Sequence, residues 1–175
     1  MRITAGKYKG RTVKSPEAAG THPMGEREKL ALFNMVGNDF GGLAVLDAYS
    51  GSGALGLEAL SRGAKKVVFV EKSPKVARVI KSNLQGIGEI SPDSYTVICG
   101  DVKNLDLTER FDMVIADPPY DNFKVEDIAN LAEFLNNDGV FVLSHPGEAP
   151  EITNLSLEKT KKYAGARLSV YAKKL

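Results

Sequence analysis

Five short apolar runs recur along the chain, and stretches with helical periodicity separate them. Leu43–Ala48, Val67–Val70, Tyr95–Ile98, Met113–Ala116 and Val140–Leu143 read as strands, while Ala54–Arg62, Pro74–Leu84 and Val125–Leu135 read as helices. A strand that is apolar on both faces must be covered on both, and interleaved helices supply the cover. The pattern therefore predicts an α/β fold with a doubly wound, mostly parallel sheet. Leu157–Tyr163 and Leu168–Lys173 flank Ala164-Gly165-Ala166 and read as an antiparallel hairpin, which brings the expected strands to seven. Upstream, Ile3–Val13 reads as a small β-hairpin with Gly6 and Gly10 at its turns, followed by a polar linker through Pro23. Glu26–Val36 reads as a helix stopped by Gly37, with Leu30 and Phe33, and near them Asn34 and Met35, on its apolar side. A chain of 175 residues accommodates one such domain, here an extension over residues 1–40 and a core over residues 41–175.

No apolar run approaches the ~18 residues of a membrane span, and the N-terminus has no apolar signal-like stretch. Cys99 is the single cysteine, so no internal disulfide is possible, and no CxxC or HxxxH pair suggests a metal. The expectation is a cytoplasmic, metal-free monomer with no membrane association. Net charge is only +1, yet Arg2, Lys7, Lys9, Arg11 and Lys14 share the first sixteen residues with no acid. Lys159, Lys161, Lys162, Arg167, Lys173 and Lys174 crowd the C-terminal stretch. Two basic ends on a near-neutral body suit a polyanionic partner, although lysines also serve simply to keep chain ends soluble.

The first strand runs into Asp47-Ala48-Tyr49-Ser50-Gly51-Ser52-Gly53-Ala54-Leu55-Gly56. Strand, glycine turn and helix in that order form the nucleotide crevice of a Rossmann-like sheet. Dinucleotides and S-adenosyl-L-methionine compete for such a crevice. Asp47, expected to point its carboxylate into the crevice, would repel a pyrophosphate and suit an aminoacyl cation; a loop-closing role for Asp47 is the alternative. Glu71 ends the second strand, where a carboxylate can accept two ribose hydroxyls, with Lys72 beside it. Asp101, followed by Val102, comes after the third strand, where it can accept an adenine amino group. An acid at a strand end is often only a cap, but three at successive strand ends fit a nucleoside better. The expected cofactor set is Asp47, Gly51, Ser52, Gly53, Gly56, Glu71, Lys72, Asp101 and Val102.

The fourth strand delivers Asp117-Pro118-Pro119-Tyr120 to its carboxyl end. A planar base amine is a poor nucleophile because its lone pair is delocalised into the ring. Two acceptors aimed at its hydrogens, the Asp117 carboxylate and the Pro118 carbonyl, favour the pyramidal geometry that attack on a methyl donor requires. Pro119 locks its own φ and restricts Pro118, which pre-aims that carbonyl, and Tyr120 offers a face for an extruded base.

With Asp47…Gly51-Ser52-Gly53-Ala54-Leu55-Gly56, this motif resembles the amino-methyltransferases. The whole chain more closely resembles the RsmD-type guanine-N2 methyltransferases of bacterial small-subunit ribosomal RNA. That likeness rests on Arg2-Ile3…Ala5-Gly6…Gly10-Arg11, Pro23…Arg27…Ala31-Leu32-Phe33-Asn34 and the run from Gly51 to Gly63. It implies a class I methyltransferase fold and a ribosomal RNA substrate, free or within a small-subunit assembly particle. It also implies RNA contacts from Lys7, Lys9 and Arg11, and closure of the segment Pro23 to Arg27 over the cofactor, with Arg27 near the RNA. The chain departs from the family at His22, Met24-Gly25, Leu30 and His145, where arginine, a Thr-Thr or Thr-Ser pair, glutamate and an acid are usual.

Other amino-methyltransferases act on DNA, on other RNAs or on protein glutamines. The glutamine class has Asn where Asp117 stands, and DNA enzymes usually carry a recognition domain for which this chain has no length. A C5-methyltransferase needs a cysteine nucleophile, whereas Cys99 is expected to be a small buried residue. A non-enzymatic NAD-binding module would leave Asp117 to Tyr120 without purpose.

Overall fold

The computed structural model describes residues 1–16, 24–163 and 166–174. His22 and Pro23 of the expected lid, and Ala164-Gly165 of the expected C-terminal turn, lie outside the described residues. Seven strands form one sheet: β1 (Ala44–Ala48), β2 (Lys66–Glu71), β3 (Tyr95–Cys99), β4 (Phe111–Ala116), β5 (Leu135–His145), β6 (Leu155–Tyr163) and β7 (Ala166–Lys173). Their order is β3-β2-β1-β4-β5-β7-β6. The first five pair in parallel, and β7 runs antiparallel between β5 and β6. The chain steps outward from β1 to β3 and then jumps back to β4. The topological switch therefore falls between β1 and β4, where a ligand crevice opens beyond the carboxyl ends.

Strand alternation divides the apolar residues between two layers. Val45, Val67, Phe69, Met113, Ile115, Val142, Leu168 and Val170 face one layer, which holds α1 (Glu26–Val36), α2 (Ala54–Ser61) and α3 (Pro74–Ile87). Leu46, Val68, Val70, Val114, Phe141, Leu143 and Tyr171 face the other, with α4 (Val125–Ala132). Helix α4 stops three residues short of the expected Leu135. That residue instead opens β5 opposite Phe111, a long-range pairing that overrides local helical periodicity.

One expectation about the first forty residues is corrected. Leu30 is 43% exposed and Asn34 is exposed, whereas Leu32, Phe33 and Met35 are buried together with Lys29. The cause is Glu58 in the middle of α2. Its carboxylate accepts from Lys29 Nζ at 2.6 Å, Arg62 Nε at 3.0 Å, Thr4 N at 2.9 Å, Thr4 Oγ1 at 2.7 Å and Ala5 N at 3.0 Å. The Lys29 and Glu58 side chains have no exposure at all, so the ion pair decides which face of α1 turns inward. The expected N-terminal hairpin is present: Arg2 pairs antiparallel with Thr12, and Ile3 N donates to the Arg11 carbonyl, Gly10 N to the Ile3 carbonyl and Val13 N to the Met1 carbonyl. Other backbone donors of this segment reach α2: besides the bonds to Glu58, Lys7 N donates to the Ser61 carbonyl and Tyr8 N to Ser61 Oγ. Gly6 permits the approach, because a Cβ there would lie 1.8 Å from the Ser61 carbonyl oxygen.

Burial alone would raise the Glu58 carboxyl, but the bonds from Lys29 and Thr4 outweigh it and hold it below the ordinary value. A carboxyl with a depressed folded-state pKa contributes stability above its unfolded value and loses it as pH falls through the folded one. Glu58→Gln should therefore destabilise the protein at pH 7 by about 3–5 kcal/mol, because it strands a buried ammonium. The loss should shrink in acid, where wild-type Glu58 is itself protonated. Adding Lys29→Met to Glu58→Gln should recover much of the loss in urea denaturation.

Candidate active site

The glycine loop leaves β1 and enters α2 with Gly51 and Gly53 both at positive φ. Asp47 is 1% exposed and does not project freely into the crevice as expected. It lies on the α2 side of the sheet, and its Oδ2 accepts from Gly56 N at 2.9 Å. This is the loop-closing role, a carboxylate seated against free N–H groups at a helix start. Gly56 is required by packing: a Cβ there would lie 2.3 Å from Phe69 Cε1 and 2.9 Å from Asp47 Oδ2.

Glu71 stands at the carboxyl end of β2, where Oε2 accepts from Gly51 N at 3.0 Å and Oε1 from Ser73 N at 2.8 Å. Each oxygen retains a lone pair for a ligand hydroxyl. Ser52 is buried, with its carbonyl accepting from Asn83 Nδ2 at 2.9 Å, and Asn83 also bonds both backbone groups of Lys14. Lys72 is exposed. Asp101 caps a short turn over Val102–Asn104 through Lys103 N, and Val102 packs into the α4 layer. Beyond β3, Ile98, Cys99, Gly100, Asp101, Leu105 and Leu107 line an open cleft of about 420 Å³. Cys99 is exposed there, contrary to expectation, because β3 is an edge strand with no neighbour on its outer side.

Asp117 leaves β4 one strand away from the glycine loop. The charges of Asp117 and Glu71 both bear on Asp47, so three acids converge on the switch point. Burial, followed by those neighbours, raises Asp47 to about 7 against the opposing bond from Gly56. Burial raises Asp117 to about 6 against a hydrogen bond from Ser144. Pro118 is buried, Pro119 is exposed, and Tyr120 is 37% exposed with its hydroxyl 2.6 Å from Ser144 Oγ. Ser144, 2% exposed at the end of β5, thus serves both Asp117 and Tyr120. Sequence reading missed it, since a serine ending an apolar strand carries no distinguishing pattern.

The remaining expected residues divide. Arg27 is exposed in the first turn of α1, next to Glu28, whose charge bears on Tyr120, and so belongs to the rim of the site. Lys7, Lys9 and Arg11 do not. Helix α2 starts at the glycine loop and runs back along the sheet for eight residues, about 12 Å. The Lys7 backbone is bonded to its far end, at the opposite rim from Asp117.

An acid-lined switch point and a rigid Asp-Pro-Pro-Tyr turn are the arrangement on which known proteins can be compared. The family described as Conserved hypothetical protein 95 matches residues 1–172. Ribosomal RNA small subunit methyltransferase D of Haemophilus influenzae is 36% identical over 172 residues, covering 92% of this chain and 88% of its own. The chain belongs to the RsmD family of methyltransferases. A second RsmD relative, from Escherichia coli, is 30% identical over 136 residues, covering 76% of this chain and 67% of its own. The solved structure of the Escherichia coli protein yhhF, provisionally described as a methyltransferase, superposes with a TM-score of 0.86. It is 27% identical and covers 99% of this chain and 98% of its own. The RsmD fold accounts for the class I strand order and the antiparallel C-terminal pair.

The raised carboxyls have a thermodynamic signature. A carboxyl whose folded pKa exceeds its unfolded value binds more protons when folded, so stability falls as pH rises between the two values. The ligand-free protein should lose on the order of 4 kcal/mol between pH 5 and pH 8 from Asp47 and Asp117 together. Asp47→Asn should remove most of the Asp47 part, and urea denaturation at both pH values would show a flatter profile for the variant.

Proposed function

We propose that this protein transfers a methyl group from S-adenosyl-L-methionine to the exocyclic N2 amine of a guanine in small-subunit ribosomal RNA. The observation that carries the reading is the seating of Asp117 and the Pro118 carbonyl beside an acid-lined nucleotide crevice, in a chain of the RsmD family. The relatives' names supply the RNA class. Among the described residues no helix is long and apolar enough to cross a membrane, and the cytoplasm is proposed as the place of action because the proposed substrate is ribosomal RNA.

The residues present fit the cofactor. Asp47, Glu71 and Asp117 suit a cationic aminoacyl and sulfonium group and oppose a pyrophosphate, which disfavours the NAD-binding reading. Glu71 would take the ribose hydroxyls, Gly51 to Gly56 would follow the backbone of the ligand, and Asp101 with Val102 would receive the adenine in the β3 cleft. When bound, S-adenosyl-L-methionine supplies an electrophilic methyl group. The chain does the rest. The Asp117 carboxylate and the Pro118 carbonyl accept the two hydrogens of the guanine amine and localise its lone pair. Ser144 holds the Asp117 carboxylate and the Tyr120 hydroxyl in one arrangement, which fixes the ring on which the base stacks. The proton shed by the methylated nitrogen passes to Asp117, whose raised pKa makes it a better acceptor than an ordinary carboxylate.

Asp117→Ala should lower single-turnover methyl transfer by ~10²–10³ while leaving cofactor affinity nearly unchanged, because its bond strengthens as the nitrogen pyramidalises. Wild-type turnover should fall as pH drops through about 6, where Asp117 takes up a proton. Asp117→Asn should be milder and should lose that acid limb. Mass-spectrometric mapping of the product would locate the methyl group; a methyl group on any atom but a guanine N2 would refute the assignment.

A further inference from the structure

The two basic ends of the chain lie at opposite rims of the sheet. The turn from Lys7 to Gly10 sits against the far end of α2. The basic residues of the C-terminal hairpin do not. Strand β7 runs antiparallel to β5, so its start lies beside the end of β5, with Arg167 opposite His145 and Leu168 opposite Ser144. Strand β6 finishes at that same rim, with Lys161 opposite Leu168 and Lys162 opposite Arg167.

Facing residues in adjacent strands share a side of the sheet. Ser144, Leu168 and Lys161 therefore form one row on the side that carries α1. Two inter-strand spacings, about 10 Å, separate the ends of that row. Its first member holds Asp117 and Tyr120. Lys159 lies on the same side, one step back along β6, with its Nζ donating to the Met35 carbonyl at the end of α1. Lys162 and Arg167 occupy the other side of the rim.

Lysines on an edge strand commonly serve to block edge-to-edge pairing, a purpose any position along β6 would meet. Here they gather toward the end that reaches the site. Among the described residues neither Lys161 nor Lys162 pairs with an acid, and both are exposed. Arg167 is held by Glu148, which leaves the two lysines as the free cations of the patch.

We propose that the rim of the β6–β7 hairpin, centred on Lys161 and Lys162, receives the RNA phosphates next to the target guanine. The proposal rests on the RNA methyltransferase reading above. A base extruded onto Tyr120 leaves its flanking phosphates outside the crevice, and this row offers cations at about that reach. Lys7, Lys9 and Arg11, at the opposite rim, would meet a more distant part of the same RNA.

The test uses the full chain and unmethylated small-subunit ribosomal RNA transcribed in vitro, with binding followed across a salt series. Lys161→Gln/Lys162→Gln should weaken RNA binding several-fold. It should also lower the slope of log affinity against log salt by about 0.7–0.9 for each lost contact. Turnover at saturating RNA and affinity for S-adenosyl-L-methionine should stay at wild-type values, and Lys161→Arg/Lys162→Arg should restore the slope. Lys65→Gln/Lys81→Gln, two exposed lysines elsewhere, should leave it unchanged. If wild-type protein methylates the RNA and the glutamine variant keeps the full slope, the docking surface is wrong and the proposed function stands. Failure of the wild type to bind or methylate RNA would overturn both.

Discussion

Every residue of α2 is buried, so its polar groups must find partners inside the protein. Two carboxylates meet that constraint. Asp47 takes a backbone N–H from the first turn, and Glu58, one half-turn beyond Gly56, collects donors from α1, from Arg62 and from the N-terminal loop. The first tie sets the glycine loop against the end of β1. The second fastens the extension to the core. Because both act on one short rigid element, the extension and the crevice are held in a defined relation.

Charge is arranged by rim. Acids concentrate where the parallel strands end; burial keeps Asp47 and Asp117 above ordinary carboxylates, and at Asp47 repulsion from Asp117 and Glu71 adds to it. A cation entering the crevice relieves that repulsion, so the site discriminates by sign before any shape is read. The lysines of β6 stand along the same rim but three strands from β4, far enough that they do not neutralise the acids. In the function proposed above, a phosphate chain and a sulfonium would then bind side by side without competing for the same groups.

Much of this was legible in the residues. Strands buried on both faces announce themselves as unbroken apolar runs, and the Gly51–Gly56 loop and Asp117–Tyr120 turn fall at strand ends where Rossmann-like sheets place their chemistry. What escaped notice depends on partners distant in sequence. Lys29 reads as a surface lysine until Glu58 is known to face it, and Leu30 then reads as core for want of a better candidate. The Asp47 carboxylate looked available because its bond to Gly56 is formed only by folding the loop back over the strand. Cys99 was expected to be buried because nothing local distinguishes an edge strand from a central one. Ser144 gains its role from two residues in the turn that follows another strand.

The N-terminal loop also has a consequence for the order of events during synthesis. Thr4 and Ala5 bond to Glu58, and the Tyr8 hydroxyl donates to the Glu89 carbonyl, across separations of 53, 54 and 81 residues. Thr4, Ala5 and Tyr8 thus reach these partners only once α2 and α3 have been made. Contacts of such span close slowly because a long loop must be ordered first. The segment from Thr4 to Tyr8 therefore docks late, when the helix that follows the glycine loop is already in place.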